Sequence, residues 1–94
     1  RLAVDPAALS AGLLGARWPA RLHRLRPGPL AARAPLGELW LDGGHNGDAA
    51  RRIAAHFARD LDERGPIDLI MGMLANKDAG EFLAAMAPVT RTLV

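Results

Sequence analysis

The chain has 94 residues, of which 50% are apolar, no cysteine, and a formal net charge of +2. A chain this short builds one modest core. Its apolar runs are shorter than the roughly 20 residues that a membrane-spanning helix needs. The lack of cysteine excludes disulfides, thiolate metal sites and cysteine nucleophiles. We therefore expect a soluble, cytoplasmic protein that has no membrane partner.

Positive charge is concentrated in the first third of the chain, where Asp5 is the only acidic residue. The arginines there are Arg17, Arg21, Arg24, Arg26 and Arg33. Nucleic-acid binding is disfavoured, because the stretch has a single stacking aromatic, Trp18, and its arginines do not follow a helical spacing. We interpret the cluster as a solvated basic face, of which one or two arginines would suffice for a phosphate-bearing small ligand.

The first predicted elements are a helix and a strand. Asp5 and Pro6 make a good helix start, and the helix is expected to run to about Leu14. A strand is predicted from Arg21 to Leu25. An irregular connection follows, because it is punctuated by proline and glycine: Pro27, Gly28, Pro29, Pro35 and Gly37.

The second part of the chain is predicted to alternate strands and helices. Glu38–Leu41 is a short buried strand. Next comes an amphipathic helix, ended by Gly65-Pro66, whose apolar face consists of Ala50, Ile53, Ala54, Phe57, Ala58 and Leu61. Ile67–Met73 is expected to be a central strand covered on both faces.

One more helix and strand complete this pattern. Asp78 and Glu81 form a capping-box-like pair for a helix that Pro88 closes, and Thr90–Val94 begins a last strand. The order β-α-β-α-β over residues 38–94 predicts a Rossmann-like α/β fold with a mainly parallel sheet flanked by helices. Residues 1–37 would precede it as a helix and strand region. Because the chain stops within the last strand, we expect a truncated domain.

The segment Asp42–Gly47 follows a strand and opens a helix, where ligands bind in open parallel sheets. Its glycines allow close backbone approach, the helix start offers N–H groups, and Asp42 offers a carboxylate suited to ribose hydroxyls. The alternative is an ordinary turn in which Asn46 or Asp48 caps the helix and His45 is an exposed loop residue. The familiar phosphate-binding loops are absent from the sequence.

Three motifs together resemble the folylpolyglutamate synthase and dihydrofolate synthase family of the Mur ligase superfamily. They are Trp18-Pro19-Ala20-Arg21-Leu22, Leu41-Asp42-Gly43-Gly44-His45-Asn46 and Met71-Gly72-Met73-Leu74-Ala75-Asn76-Lys77-Asp78. The resemblance implies the carboxy-terminal domain of a ligase that uses ATP to add L-glutamate to a folate or to dihydropteroate through an acyl phosphate. The phosphate loop and the Mg²⁺ ligands would belong to the protein's own larger amino-terminal domain, so we expect no metal ligands in this chain and no activity from it in isolation.

The resemblance also implies roles for individual residues. Arg21 matches an arginine that reaches ATP, Asp42 matches an aspartate that binds the ribose hydroxyls, and His45 and Asn46 match a pair that faces the phosphates. Without the resemblance, Arg21 is a surface cation and Asp42 satisfies nearby backbone N–H groups. In the downstream motif, Asp78 is explained as a helix cap and Lys77 as an exposed loop cation.

Two residues depart from the family pattern. Ala20 replaces a glycine and restricts the backbone if that position needs a positive φ, and Gly47 replaces a proline and loosens the helix start by about 0.5–1 kcal/mol. Two alternatives to the folate ligase remain. One is a Mur-type ligase that adds an amino acid to a UDP-linked muropeptide, and the other is a non-catalytic interaction module.

Overall fold

A computed structural model describes residues 3–34 and 38–94, and the chain divides into two compact units, Arg1–Asp42 and Gly43–Val94. The fold is a small mixed α/β arrangement of short helices and two-stranded sheets. Its elements are α1 (Pro6–Gly15), β1 (His23–Arg24), a 3-10 turn (Ala31–Arg33), β2 (Trp40–Leu41), α2 (Gly47–Ala58), α3 (Leu61–Arg64), β3 (Ile67–Leu69), α4 (Ala79–Met86), a second 3-10 turn (Ala87–Val89) and β4 (Thr90–Leu93). Pro35 and Gly37 of the predicted connection lie outside the described residues. No helix within the described ranges has the length and apolar character needed to cross a membrane.

The first unit confirms the predicted α1. The Asp5 carboxylate accepts a hydrogen bond from the Ala7 backbone N–H at 3.1 Å, and Pro6 occupies the first helical turn. The helix has no buried residue. The two strands of this unit, β1 and β2, pair in antiparallel orientation, with His23 opposite Leu41.

The second unit is built on the packing of α2 against α4. Its buried apolar residues are Ala50, Ile53, Ala54, Phe82, Met86 and Val89. The predicted apolar face of α2 is confirmed in its first half, but the prediction of one helix as far as Gly65 is wrong. The helix ends at Ala58 and the separate α3 follows. Acidic residues at the start of α3 favour a new helix N-terminus at that point.

The strands also differ from the prediction. In the second unit β3 and β4 are parallel, with α4 between them in sequence, as a βαβ crossover requires. A strand begins at Ile67 as predicted, but it ends at Leu69 instead of Met73, and Ile70 is 80% exposed, so the prediction of a long central strand is wrong. A central strand needs a partner on each side, whereas the sheets in the described residues have two strands each and β2 pairs with β1.

The start of α4 forms half of the predicted capping box. The Asp78 carboxylate accepts a hydrogen bond from the Glu81 backbone N–H at 2.8 Å, which confirms the cap. The Glu81 side chain does not return the bond to the Asp78 backbone. It instead accepts a hydrogen bond from the Arg51 guanidinium of α2 at 3.1 Å, so the side chain links the two packed helices.

Candidate functional site

Arg21 and Asp42 lie at the same end of the β1–β2 ladder. The register that pairs His23 with Leu41 brings Leu22 opposite Asp42, and the Leu22 backbone N–H donates a hydrogen bond to Asp42 Oδ2 at 2.6 Å. This contact confirms the alternative in which Asp42 satisfies a nearby backbone N–H. The ribose-binding role of Asp42 stays a prediction.

The backbone around Arg21 has an uncommon conformation. Ala20 has a φ of 56° and Leu22 a φ of 41°, and each residue of this kind in the left-handed region costs about 1–2 kcal/mol. The position of Ala20 therefore does need a positive φ, which alanine adopts at a cost and glycine tolerates without a penalty. The exposed Arg21 side chain donates a hydrogen bond to the Ala20 carbonyl at 3.1 Å.

His45 and Asn46 stand at the start of the second unit. His45 is exposed, and its Nδ1 lies 3.3 Å from the Gly43 carbonyl. Asn46 is the N-cap of α2, and its side-chain oxygen accepts a hydrogen bond from the Ala49 backbone N–H at 2.8 Å. The structure thus selects Asn46 over Asp48 as the cap, while the phosphate-facing role of His45 and Asn46 stays a prediction.

Gly47 has a structural role that the sequence analysis missed. It is buried at the first position of α2, and a Cβ atom there would overlap the side chain of Glu81. Glycine at this position therefore permits Glu81 to cross the start of α2 and to pair with Arg51. The available signal was a glycine where the family that the motifs resemble has a proline, but nothing near it in sequence identified Glu81 as the neighbour.

The remaining sequence-predicted residues have ordinary roles. Asp78 caps α4, and Lys77 is an exposed loop residue, as expected for both. Among residues 3–34 and 38–94, no three histidine or acidic side chains are grouped closely enough to hold a metal ion.

A carboxyl group with a lowered pKa lies outside the predicted site. Asp68 on β3 accepts hydrogen bonds from both Nε and Nη2 of Arg91 on β4, the first at 3.0 Å. These bonds, together with one from Thr92, lower the pKa of Asp68 below its ordinary value. A groove of about 300 Å³ beside this pair is lined mainly by apolar side chains, including Leu83, Met86 and Leu93, and contains none of the predicted site residues.

Comparisons of the chain with protein-family models, with curated proteins and with solved structures find no match.

Proposed function

We propose that this chain is the nucleotide-facing carboxy-terminal domain of an ATP-dependent ligase that adds L-glutamate to a folate or to dihydropteroate. One observation carries the proposal beyond the motifs. Arg21 and Asp42 are distant in sequence, yet they lie at one end of the β1–β2 ladder, joined through the 2.6 Å bond from Leu22. A guanidinium suits the phosphates of a nucleotide, and a carboxylate suits its ribose hydroxyls.

In the proposed reaction, an oxygen of the acceptor carboxylate attacks the γ-phosphorus of ATP, and ADP leaves. The glutamate amine then attacks the acyl phosphate carbon, an amide bond forms, and phosphate leaves. In this chain Arg21 binds the nucleotide phosphates and Asp42 accepts hydrogen bonds from the ribose. His45 and Asn46 donate toward the phosphates, and for Asn46 the donor is its amide nitrogen, since its oxygen caps α2. The proposed amino-terminal domain supplies the phosphate loop and the Mg²⁺ ligands.

Titration of the chain with ATP and with adenosine, followed by NMR, tests the nucleotide role directly. We expect Arg21→Ala to weaken ATP binding about tenfold, because one charge-assisted contact is lost, and to leave adenosine binding unchanged. Asp42→Ala weakens the binding of both, because both carry the ribose. Arg33→Ala and Asp62→Ala are charge-matched controls at exposed positions. Equal effects of the site variants and the controls would refute the proposal.

The ligase class is tested with the complete polypeptide that carries this domain. We expect ATP-dependent addition of glutamate to tetrahydrofolate or dihydropteroate, and no turnover by the 94-residue chain alone. Activity confined to UDP-linked muropeptide precursors would favour the Mur-type alternative instead.

Exposed apolar side chains in α1 and just after it support a second candidate, the non-catalytic interaction module. Leu13, Leu14 and Trp18 are 70%, 86% and 75% exposed, and apolar surface of this kind commonly marks a protein interface. If the chain is such a module, Leu13→Glu abolishes association with its partner, and ATP binds to neither the wild type nor the variant. Specific ATP binding that depends on Arg21 would reject this candidate.

A further inference from the structure

Arg21 stands between two residues with positive φ. Ala20 and Leu22 are the only non-glycine residues with positive φ in the described parts of the chain, and they flank Arg21 on both sides. Backbone strain of this kind persists only where surrounding contacts hold it in place. The contact that holds this turn should therefore be identifiable.

Asp42 supplies that contact from the opposite strand. The register of the His23–Leu41 pair brings Leu22 opposite Asp42, and the acceptor for the Leu22 N–H at this position is the Asp42 carboxylate. At 2.6 Å this bond is short for an N–H donor, which ordinarily lies about 2.7–3.2 Å from its acceptor. A side chain thus ends the ladder at Leu22, one of the two residues with positive φ.

We propose that Asp42 is a positioning residue, which holds the backbone of Leu22 so that the guanidinium of Arg21 is presented to the polyphosphate of the ligand. The proposal rests on the proposed nucleotide function and adds to it a role for Asp42 that does not involve ribose. This role gives Asp42 a reason to lie beside a binding site for a polyphosphate anion, although both carry negative charge. The carboxylate acts through the backbone hydrogen bond, and its negative charge opposes anion binding.

Inorganic triphosphate separates this role from ribose binding, because it has no ribose. Asp42→Asn and Asp42→Ala lose the same charge, but only the asparagine retains an oxygen that accepts the Leu22 N–H. We expect Asp42→Asn to bind triphosphate at least as tightly as the wild type and Asp42→Ala to bind it several-fold more weakly than Asp42→Asn. In hydrogen exchange, the Leu22 amide stays protected in Asp42→Asn and exchanges faster in Asp42→Ala.

The same comparison in an Arg21→Ala background tests whether Asp42 acts through Arg21. We expect the difference between the two Asp42 variants to disappear there. Equal triphosphate affinity of Asp42→Asn and Asp42→Ala, an unchanged Leu22 amide, or a difference that persists without Arg21 would each overturn the proposal. Failure of the nucleotide function is recognised separately, as triphosphate binding that follows this pattern while adenosine is not bound.

Discussion

Replacement of Ala20 by glycine tests the positive φ of the residue before Arg21. The φ of 56° at Ala20 places its Cβ atom close to the following carbonyl oxygen, at a cost of about 1–2 kcal/mol. Glycine removes this cost but adds conformational freedom to the unfolded chain, worth about 0.5–1 kcal/mol. We therefore expect Ala20→Gly to stabilise the first unit by about 0.5–1 kcal/mol, or on the order of several degrees in melting temperature.

Tryptophan fluorescence during urea unfolding measures this effect selectively. Both tryptophans, Trp18 and Trp40, lie in the unit Arg1–Asp42, so their emission reports on the part of the chain that contains the substitution. Ala32→Gly is the matched control, because Ala32 belongs to a right-handed 3-10 turn in the same unit, and glycine there lowers stability by about 0.5–1 kcal/mol. A destabilisation by Ala20→Gly as large as that of Ala32→Gly would refute the positive φ.

Two further predictions concern the second unit. Gly47→Ala should raise the stability by about 0.5–1 kcal/mol, because alanine lowers the entropy of the unfolded chain. It also displaces Glu81 from an exposed ion pair worth about 0–1 kcal/mol. We therefore expect Gly47→Ala to be nearly neutral alone and stabilising in a Glu81→Ala background. The second prediction concerns Asp68, whose pKa in the folded chain is lowered below its ordinary value of 3.8 by the hydrogen bonds from Arg91. The stabilisation by this pair is therefore complete above the ordinary pKa and is lost as the pH falls through the folded pKa. Asp68→Asn is therefore expected to lower the melting temperature near neutral pH, with a difference from the wild type that narrows below about pH 4.

Far-UV circular dichroism checks both predictions, since most of the helical residues belong to this unit. The close approach at Gly47 is contradicted if Gly47→Ala has the same effect with and without Glu81. For Asp68, Asp62→Asn is the control, because Asp62 is an exposed carboxylate. A difference between the wild type and Asp68→Asn that is the same at acidic and neutral pH would reject the role of the ion pair.

The parts of the fold that follow local rules were predictable from the sequence. The start of α1 depends on Asp5 and Pro6, and the start of α4 on Asp78, because a cap joins a side chain to a backbone N–H only two or three residues away. The break between α2 and α3 was missed, because neither glycine nor proline marks it. The length of β3 was also overestimated, since an apolar run does not reveal how many strands cover it.

The candidate site also has features that the sequence predicts and contacts that only the tertiary structure shows. The motif resemblance proposed Arg21, Asp42, His45 and Asn46 as site residues. The sequence by itself determined that a glycine-rich turn precedes a helix, since this feature depends on residue type and spacing. Only the tertiary structure decided that β2 pairs with β1, that the Asp42 carboxylate holds Leu22, that Ala20 has a positive φ, and that Glu81 covers Gly47. The pairing and the side-chain contacts join residues far apart in the chain. Which segments meet depends on how the folded chain satisfies its backbone hydrogen bonds and buries its apolar faces.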